Sequence, residues 1–336
     1  LKGLKKDRKI SQLWKDSCLF LPILLLVVSL NQNAHSQEVS SREENIPFLV
    51  TFSTDANKAW GDDDFCQVFF FTVPKTHSGA FYIRVFDPDC GGQHDEQKST
   101  FNSKTKYAIY GGEGCITDKD ARSVDPKGNY KSGNLLATKT FAVDPSTDNQ
   151  WYTFGPFDPG SGELVEKYGG YVFKVIANGQ EGDDGNLYKY FLSTEKEANK
   201  PIEGGNAFTF EYTFRLHTSH QQISHIYPFV DDKVISVKQS NFDWDNDGHI
   251  RVISKGRKGD ILVASGDNIW GSSSLKAKEE EKNSSMDIQF IKSEKDLTNN
   301  NVVFYMTNQY GEYLPFYSLP IGGVPKYKYS IGIKSK

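Results

Sequence analysis

The sequence predicts an all-β protein: two antiparallel β-sandwich-like domains behind an N-terminal signal peptide. Three observations carry this expectation. Aromatic residues make up 13% of the 336-residue chain, as 17 Tyr, 23 Phe and 5 Trp, against only 2 Met. That balance suits strands and packed flat surfaces better than helical bundles. Apolar runs are short and are separated by turn chemistry, as at Asp144-Pro145, Asp158-Pro159-Gly160, Asn178-Gly179 and Asp183-Asp184-Gly185-Asn186, which is how strands are punctuated. Good helix formers concentrate in one place, Lys276–Asn283, and that stretch reads equally as a charged loop. The length itself sets a prior of about two domains.

Residues 1–36 are expected to be a signal peptide. Lys2, Lys5, Lys6, Arg8, Lys9 and Lys15 precede the apolar run Leu19–Leu30, and Ala34 and Ser36 place small residues before a cleavage point at Gln37. The apolar core is too short for a comfortable membrane span; an uncleaved anchor is the alternative. Cys18 precedes the apolar run, which is the wrong place for a lipoprotein cysteine. The chain opens on Leu1 rather than Met, so a non-standard start codon or a truncated start is expected.

Without residues 1–36 the chain carries 33 basic and 41 acidic residues, a net charge of −8. Such a balance argues against a nucleic-acid partner, which needs a basic patch. The expected location is therefore the periplasm, the cell surface or the medium, with no transmembrane span in the mature form.

Residues 37–45 are polar and read as a disordered leader. The first sandwich is expected over 46–217. Its strands are Ile46–Ser53, Cys66–Val73, Ala80–Phe86, Lys106–Tyr110, Leu135–Val143, Trp151–Phe157, Tyr171–Ala177, Leu187–Ser193 and Ala207–Leu216. Cys66–Val73 is apolar on both faces and reads as a central strand. Ala207–Leu216 alternates, with Phe208, Phe210, Tyr212 and Phe214 on one face, and reads as one long strand closing the domain. His217, His220 and His225 lie in or beside a polar linker, 218–225. A shared metal needs helical spacing there, which the periodicity does not support, so an exposed linker is the preferred reading.

The second sandwich is expected over 226–336, with strands at Ile226–Val230, Lys233–Val237, His249–Ser254, Asp260–Ala264, Met286–Ile291 and Val302–Thr307. Between two of these strands lies Asn-Phe-Asp-Trp-Asp-Asn-Asp-Gly-His-Ile, residues 241–250. Asp243, Asp245 and Asp247 alternate and Gly248 follows. Three crowded carboxylates repel unless a hard cation neutralises them, and this order suits Ca²⁺. Position 12 from Asp243 is Ser254, where an EF-hand places a bidentate Glu, and the flanks are strands. Ligands from elsewhere are therefore needed, and His249 is expected to offer its backbone carbonyl. The alternative is a solvated acidic turn. Trp244, set between the aspartates, is expected to be exposed and able to stack on a sugar ring.

Two resemblances add to this reading. Phe69-Phe70-Phe71-Thr72-Val73-Pro74, a short turn, a strand and then Asp87-Pro88-Asp89 resemble the opening of pre-peptidase C-terminal-type secreted domains, over residues 66–89. That family is non-catalytic and often calcium-bound, so the resemblance implies that Asp87 and Asp89 are loop ligands. The long insertion after Cys90 departs from the pattern. The stretches FDWDNDGHIRVIS, SGDNIW, NNNVVFYMTNQYGEYLPFY and PIGGVPKYKY resemble uncharacterised exported β-sandwich proteins of the Bacteroidota, which implies export and a β-fold and no activity.

A second calcium site is expected where strand-end carboxylates meet, with Asp87, Asp89, Asp183 and Asp184 as its ligands and Asp62, Asp63 and Asp64 as further acidic turn residues; edge solubility is the alternative role. Of the three cysteines after residue 36, Cys90 and Cys115 sit in glycine-rich turns and are the expected disulfide, leaving Cys66 as a buried thiol. The sequence contains no H-E-x-x-H, G-x-S-x-G, P-loop or dinucleotide-binding glycine pattern. The expected function is a non-catalytic binding or adhesion module with calcium-stabilised loops, its partner a glycan or an envelope or surface protein. A secreted glycan hydrolase and a structural subunit of a cell-envelope assembly are the alternatives.

Overall fold

The computed structural model describes residues 38–122, 128–293 and 301–325. The expected signal peptide lies outside these residues. All described residues belong to one compact unit, His35–Lys336. No helix among them is long and apolar enough to cross a membrane.

The chain is built from short antiparallel strands, as its punctuation predicts. In order they are β1 (Glu38–Val39), β2 (Phe48–Phe52), β3 (Cys66–Pro74), β4 (Phe81–Phe86), β5 (Lys104–Gly111), β6 (Asn134–Phe141), β7 (Trp151–Phe157) and β8 (Glu163–Val165). There follow β9 (Gly170–Glu181), β10 (Gly185–Ser193), β11 (Asn206–Thr209), β12 (Glu211–Arg215), β13 (Ser224–Ile226), β14 (Phe229–Val230) and β15 (Ser236–Phe242). The last are β16 (Gly248–Ile253), β17 (Lys258–Leu262), β18 (Trp270–Lys276), β19 (Ser284–Ser285), β20 (Asp287–Lys292), β21 (Asn301–Asn308) and β22 (Phe316–Tyr317). The Lys276–Asn283 stretch makes a single short turn of 3₁₀ helix, Glu279–Glu281.

One sheet runs β18-β15-β21-β12-β2-β10-β4-β7, with β1 added on β10. A second runs β22-β11-β3-β9-β5-β6, with β8 added on β9, and a third runs β13-β20-β16-β17. Opposite its first-half portion the long sheet meets the second sheet: Phe69 and Phe71 of β3 pack against Tyr190 of β10 at ring-centroid distances of 5.7 and 5.8 Å. Opposite its second-half portion it meets the third, where Phe290 of β20 packs on Phe214 at 5.1 Å and Phe304 at 5.3 Å. Both layers of packing belong to one apolar cluster.

This arrangement corrects the expected separation into two domains at 218–225. Two sandwich-like layers exist, but they share the long sheet. β12 pairs with β2 on one side and with β21 on the other. The 218–225 stretch is not a free linker either: β13 pairs Ser224 with Phe290, and the His225 N–H donates to the Glu44 carbonyl at 2.7 Å.

The expected single strand Ala207–Leu216 divides at Phe210. β11 pairs with β3 in the second sheet, and β12 joins the long sheet. Phe208 and Phe210 pack in a small cluster with Phe70 and Tyr317, whereas Tyr212 and Phe214 lie in the main core. A strand that changes sheets closes one edge of a sandwich. β3 is central, as predicted from its two apolar faces. Phe69 and Phe71 point to the main core, and Phe70 stacks on Phe208 at 5.3 Å and 16° on the other side. Burying each such ring contributes roughly 1.5–3 kcal/mol.

The expected disordered leader is corrected as well. Val39 and Glu44 are fully buried. β1 pairs with β10, and Glu44 accepts from the Tyr212 hydroxyl and the Ser41 N–H. One apolar side chain and one satisfied carboxylate are enough to fix the segment from residue 38 onward.

Candidate metal centre

The acidic turn joins β15 to β16. Asp243, Asp245 and Asn246 adopt φ of 62°, 57° and 54°, a left-handed region that Asp and Asn enter more readily than other side chains. Gly248 ends the turn at φ 144°, where a Cβ would come within 2.1 Å of the Ile291 carbonyl oxygen. Only glycine admits that approach of β16 to β20.

The turn is bound to the connection between β17 and β18. Asn268 N–H donates to Asp243 Oδ1 at 2.7 Å, Trp244 N–H to Ser265 Oγ at 2.9 Å, and Asn246 N–H to the Ser265 carbonyl at 2.9 Å. These bonds bring Asp267 to the turn. One carboxylate oxygen each from Asp243, Asp245 and Asp267 lies within 4.8 Å of the others. Asp245 Oδ1 is buried without a hydrogen-bond partner. Burial, with Asp267 and then Asp247 nearby, raises the Asp245 carboxyl above the usual carboxylate range, and Lys292 opposes this.

Of the residues predicted for this centre, Asp243 and Asp245 take part. Asp247 turns away: its Oδ1 accepts from Ser293 Oγ at 3.1 Å, and its Oδ2 lies 3.7 Å from Lys292 Nζ. It is the counter-ion of a buried lysine. Burial lowers the Lys292 ammonium to about 8, against the pull of Asp247. His249 lies in β16 opposite Ile291 with its side chain exposed. Trp244 corrects the expectation of a stacking residue. It is 2% exposed and packs on Phe290 at 5.6 Å, because the turn folds its ring under the third sheet.

The sequence reading missed Asp267, and among the tryptophans that could stack on a sugar ring it preferred Trp244 to Trp270. Ser265–Asn268 reads only as a polar turn, and nothing local says which other turn it meets. Trp270 is 42% exposed and packs on Phe242 at 5.3 Å and on Tyr305 at 5.2 Å. Tyr305 in turn packs on Tyr313 at 5.6 Å. An aromatic row thus begins three residues beyond Asp267.

The donor set is all carboxylate, without nitrogen or sulfur. Such a set fits a hard divalent cation, Ca²⁺ or Mg²⁺, and does not fit zinc or copper. Three carboxylates at this spacing repel, and a cation removes that cost.

The expected second site does not assemble. Asp87 Oδ1 accepts from Asn149 N–H at 2.8 Å; Asp89 accepts from Asp144 N–H and Thr147 Oγ1, each at 2.9 Å. Asp184 accepts from Lys98 N–H, Asn102 N–H and Ser103 Oγ, and Asp183 from Ser99 Oγ. These side chains shape two different loops, and among the described residues they form no ligating group. Burial pushes Asp87 up to about 7. Asp62, Asp63 and Asp64 do cluster. Asp62, however, spends both oxygens on the N–H groups of Phe52, Phe65 and Asp64, and burial pushes it up to about 7. It is a hydrogen-bonded turn rather than an open site.

Cys90 and Cys115 are free and fully buried, which corrects the expected disulfide. They lie at opposite ends of β5. Cys90 bonds to Ser103, just before the strand, and Cys115 Sγ approaches the Tyr110 carbonyl near its end at 3.6 Å. An eight-residue strand spans about 23 Å, and a disulfide needs Cα atoms within about 7 Å. The histidines His217, His220 and His225 form no ligating group among the described residues: His217 Nε2 meets the Asn45 carbonyl at 2.9 Å and His225 Nδ1 meets Asp287 at 2.8 Å.

No protein-family model matches the chain, and no curated protein matches it.

Proposed function

We propose that this chain is a non-catalytic binding module that works outside the cell, with calcium as a structural ion at Asp243, Asp245 and Asp267 and a glycan as ligand. The observation that carries this reading is the adjacency of the carboxylate group to exposed Trp270, which heads a row of half-buried tyrosines. Asp267 and Trp270 belong to one short connection and strand, and Asn268 between them is bonded to Asp243. A cation there fixes the backbone that presents Trp270, so less ordering remains to be done when ligand binds. Indole and phenol faces stack on the C–H faces of sugars as they do on other apolar surfaces.

Two measurements test it: thermal unfolding with millimolar Ca²⁺ and with chelator, for the native chain and for Asp245→Ala, and glycan-array binding of the native chain and Trp270→Ala in calcium. The reading expects calcium to raise the native melting temperature by several degrees, Asp245→Ala to remove that rise, and Trp270→Ala to remove glycan signal while leaving the rise. Coincident curves with and without calcium overturn the cation, and array signal indifferent to Trp270 overturns the platform.

A second reading, a glycan hydrolase, is favoured by one observation. A cavity of about 310 Å³ is lined by Asp120, Glu312, Arg122, Phe210 and Tyr313. Paired carboxylates beside aromatic walls are what glycoside hydrolysis uses. Release of reducing sugar that vanishes in Glu312→Gln would establish it over the binding module.

A further inference from the structure

A further cavity belongs to neither of these sites. It has a volume of about 660 Å³ and lies between the β16–β17 turn, the Glu280–Ser285 stretch and Gly322–Pro325. That volume is in the range that holds a small ligand.

Its lining carries more basic than acidic groups. Lys255 and Lys258 are exposed on its wall, and neither makes an ion pair among the described residues. Lys255 Nζ lies 3.9 Å from where a Cβ on Gly322 would be. Gly322 and Gly323, at φ of 84° and 80°, keep that wall free of side chains. Ser285 is buried, and its Oγ accepts from Ile321 N–H at 3.0 Å, which leaves its own proton to donate. Arg257 is different. Glu281 meets its Nε at 2.8 Å, Asp260 meets its Nη1 at 2.6 Å, and its Nη2 donates to the Lys276 carbonyl. Arg257 therefore builds the wall and is neutralised there, while the two lysines remain available. Glu280 is the one exposed acid on the lining. Val324 and Pro325 give the cavity an apolar side.

We infer that this cavity binds an acidic saccharide, its carboxylate or sulfate held by Lys255 and Lys258, its hydroxyls by Ser285, and its ring against Val324 and Pro325. A chain of net negative charge gains nothing generic from two lysines in a cavity; their charge is directed at a negative ligand. The inference stands on its own residues and does not require the Trp270 face.

The test is titration calorimetry of the full chain at low salt with a trigalacturonate, a sulfated chondroitin disaccharide, a neutral maltotriose and sodium sulfate. The two acidic sugars separate carboxylate from sulfate recognition. Expected is submillimolar binding of at least one of them, weakened roughly tenfold in Lys255→Ala/Lys258→Ala and by added salt, with maltotriose and bare sulfate much weaker. Ser285→Ala is expected to weaken the sugar and leave bare sulfate unchanged. Unchanged melting temperatures in the lysine variant show that a loss is not unfolding. Failure of both acidic sugars to bind at 10 mM, equal binding by the lysine variant, or equal binding of maltotriose overturns the inference. Loss of array signal in Trp270→Ala with acidic-sugar binding intact would separate the two sites.

Discussion

Asn268 donates its backbone N–H to Asp243 Oδ1 at 2.7 Å, and with the two bonds to Ser265 it makes two turns from different parts of the chain into one piece. Asp267 and Asp243 are consequently equal partners in any cation site. Asp267→Asn is expected to remove most of the calcium-dependent rise in melting temperature, as Asp245→Ala does. Asp247→Ala is expected to keep the rise and to lower both curves by about 1–3 kcal/mol, since it removes the nearest charge from buried Lys292. Differential scanning calorimetry with calcium and with chelator distinguishes the two classes.

The two tryptophans of this region have opposite roles. Trp244→Ala is expected to cost about 3–5 kcal/mol, as removal of a large buried ring does. Trp270→Ala is expected to cost only about 1 kcal/mol, because the ring keeps much of its surface in water. Urea titration monitored by far-ultraviolet circular dichroism measures both.

Free thiols make a covalent prediction. Alkylation of the unfolded, unreduced protein followed by mass spectrometry is expected to label Cys66, Cys90 and Cys115 alike. The folded protein is expected to resist the same reagent, because burial raises all three thiols, Cys115 to about 12. A Cys90–Cys115 crosslinked peptide would contradict the structure of β5.

Buried carboxylates set a pH dependence. Burial pushes Glu44, Asp62 and Asp87 to about 7 and Asp95 to about 9. Each is above its unfolded value near 4, so the folded state holds more protons in between. The resulting stability is complete below about pH 4 and is lost as pH climbs through 7, and for Asp95 through 9. In chelator, unfolding free energy is expected to fall between pH 5 and pH 8, by about 1.4 kcal/mol for each pH unit over which one of these carboxyls keeps its proton in the folded state alone. Lys174 and Lys292, lowered by burial to about 8, act in the opposite direction only above that pH. Replacing Glu44 by Gln is expected to flatten part of the slope.

Sharing of one sheet predicts one transition. Calorimetric and van't Hoff enthalpies are expected to agree, and residues 38–217 alone are expected not to fold, since Tyr212 and Phe214 would lose Phe316 and Phe290. Two resolved transitions would show two independent bodies.

Much of the fold was legible because local pattern determined it. Trp151–Phe157 is bounded by Gln150 and Asp158-Pro159, and the strand has those limits. What alternation cannot say is which sheet a strand joins, so the change at Phe210 was hidden inside an unbroken pattern. Trp270–Lys276 was missed because serine is a poor strand former and the strand is an edge, paired among the described residues only with β15. The metal centre was half legible. Asp243 and Asp245 are marked by spacing, but Asp267 is brought in by hydrogen bonds between turns, and Trp244 is hidden by a fold of the turn that spacing does not record.

The position of β12 has a consequence in time. Its neighbour β2 is made before it and its other neighbour, β21, well after it. Until residues 301–308 emerge, Glu211–Arg215 presents an open row of backbone groups, and the rings of Tyr212 and Phe214 wait for their cover. A chain threaded through a narrow exit would complete this sheet only once residues 301–308 had passed.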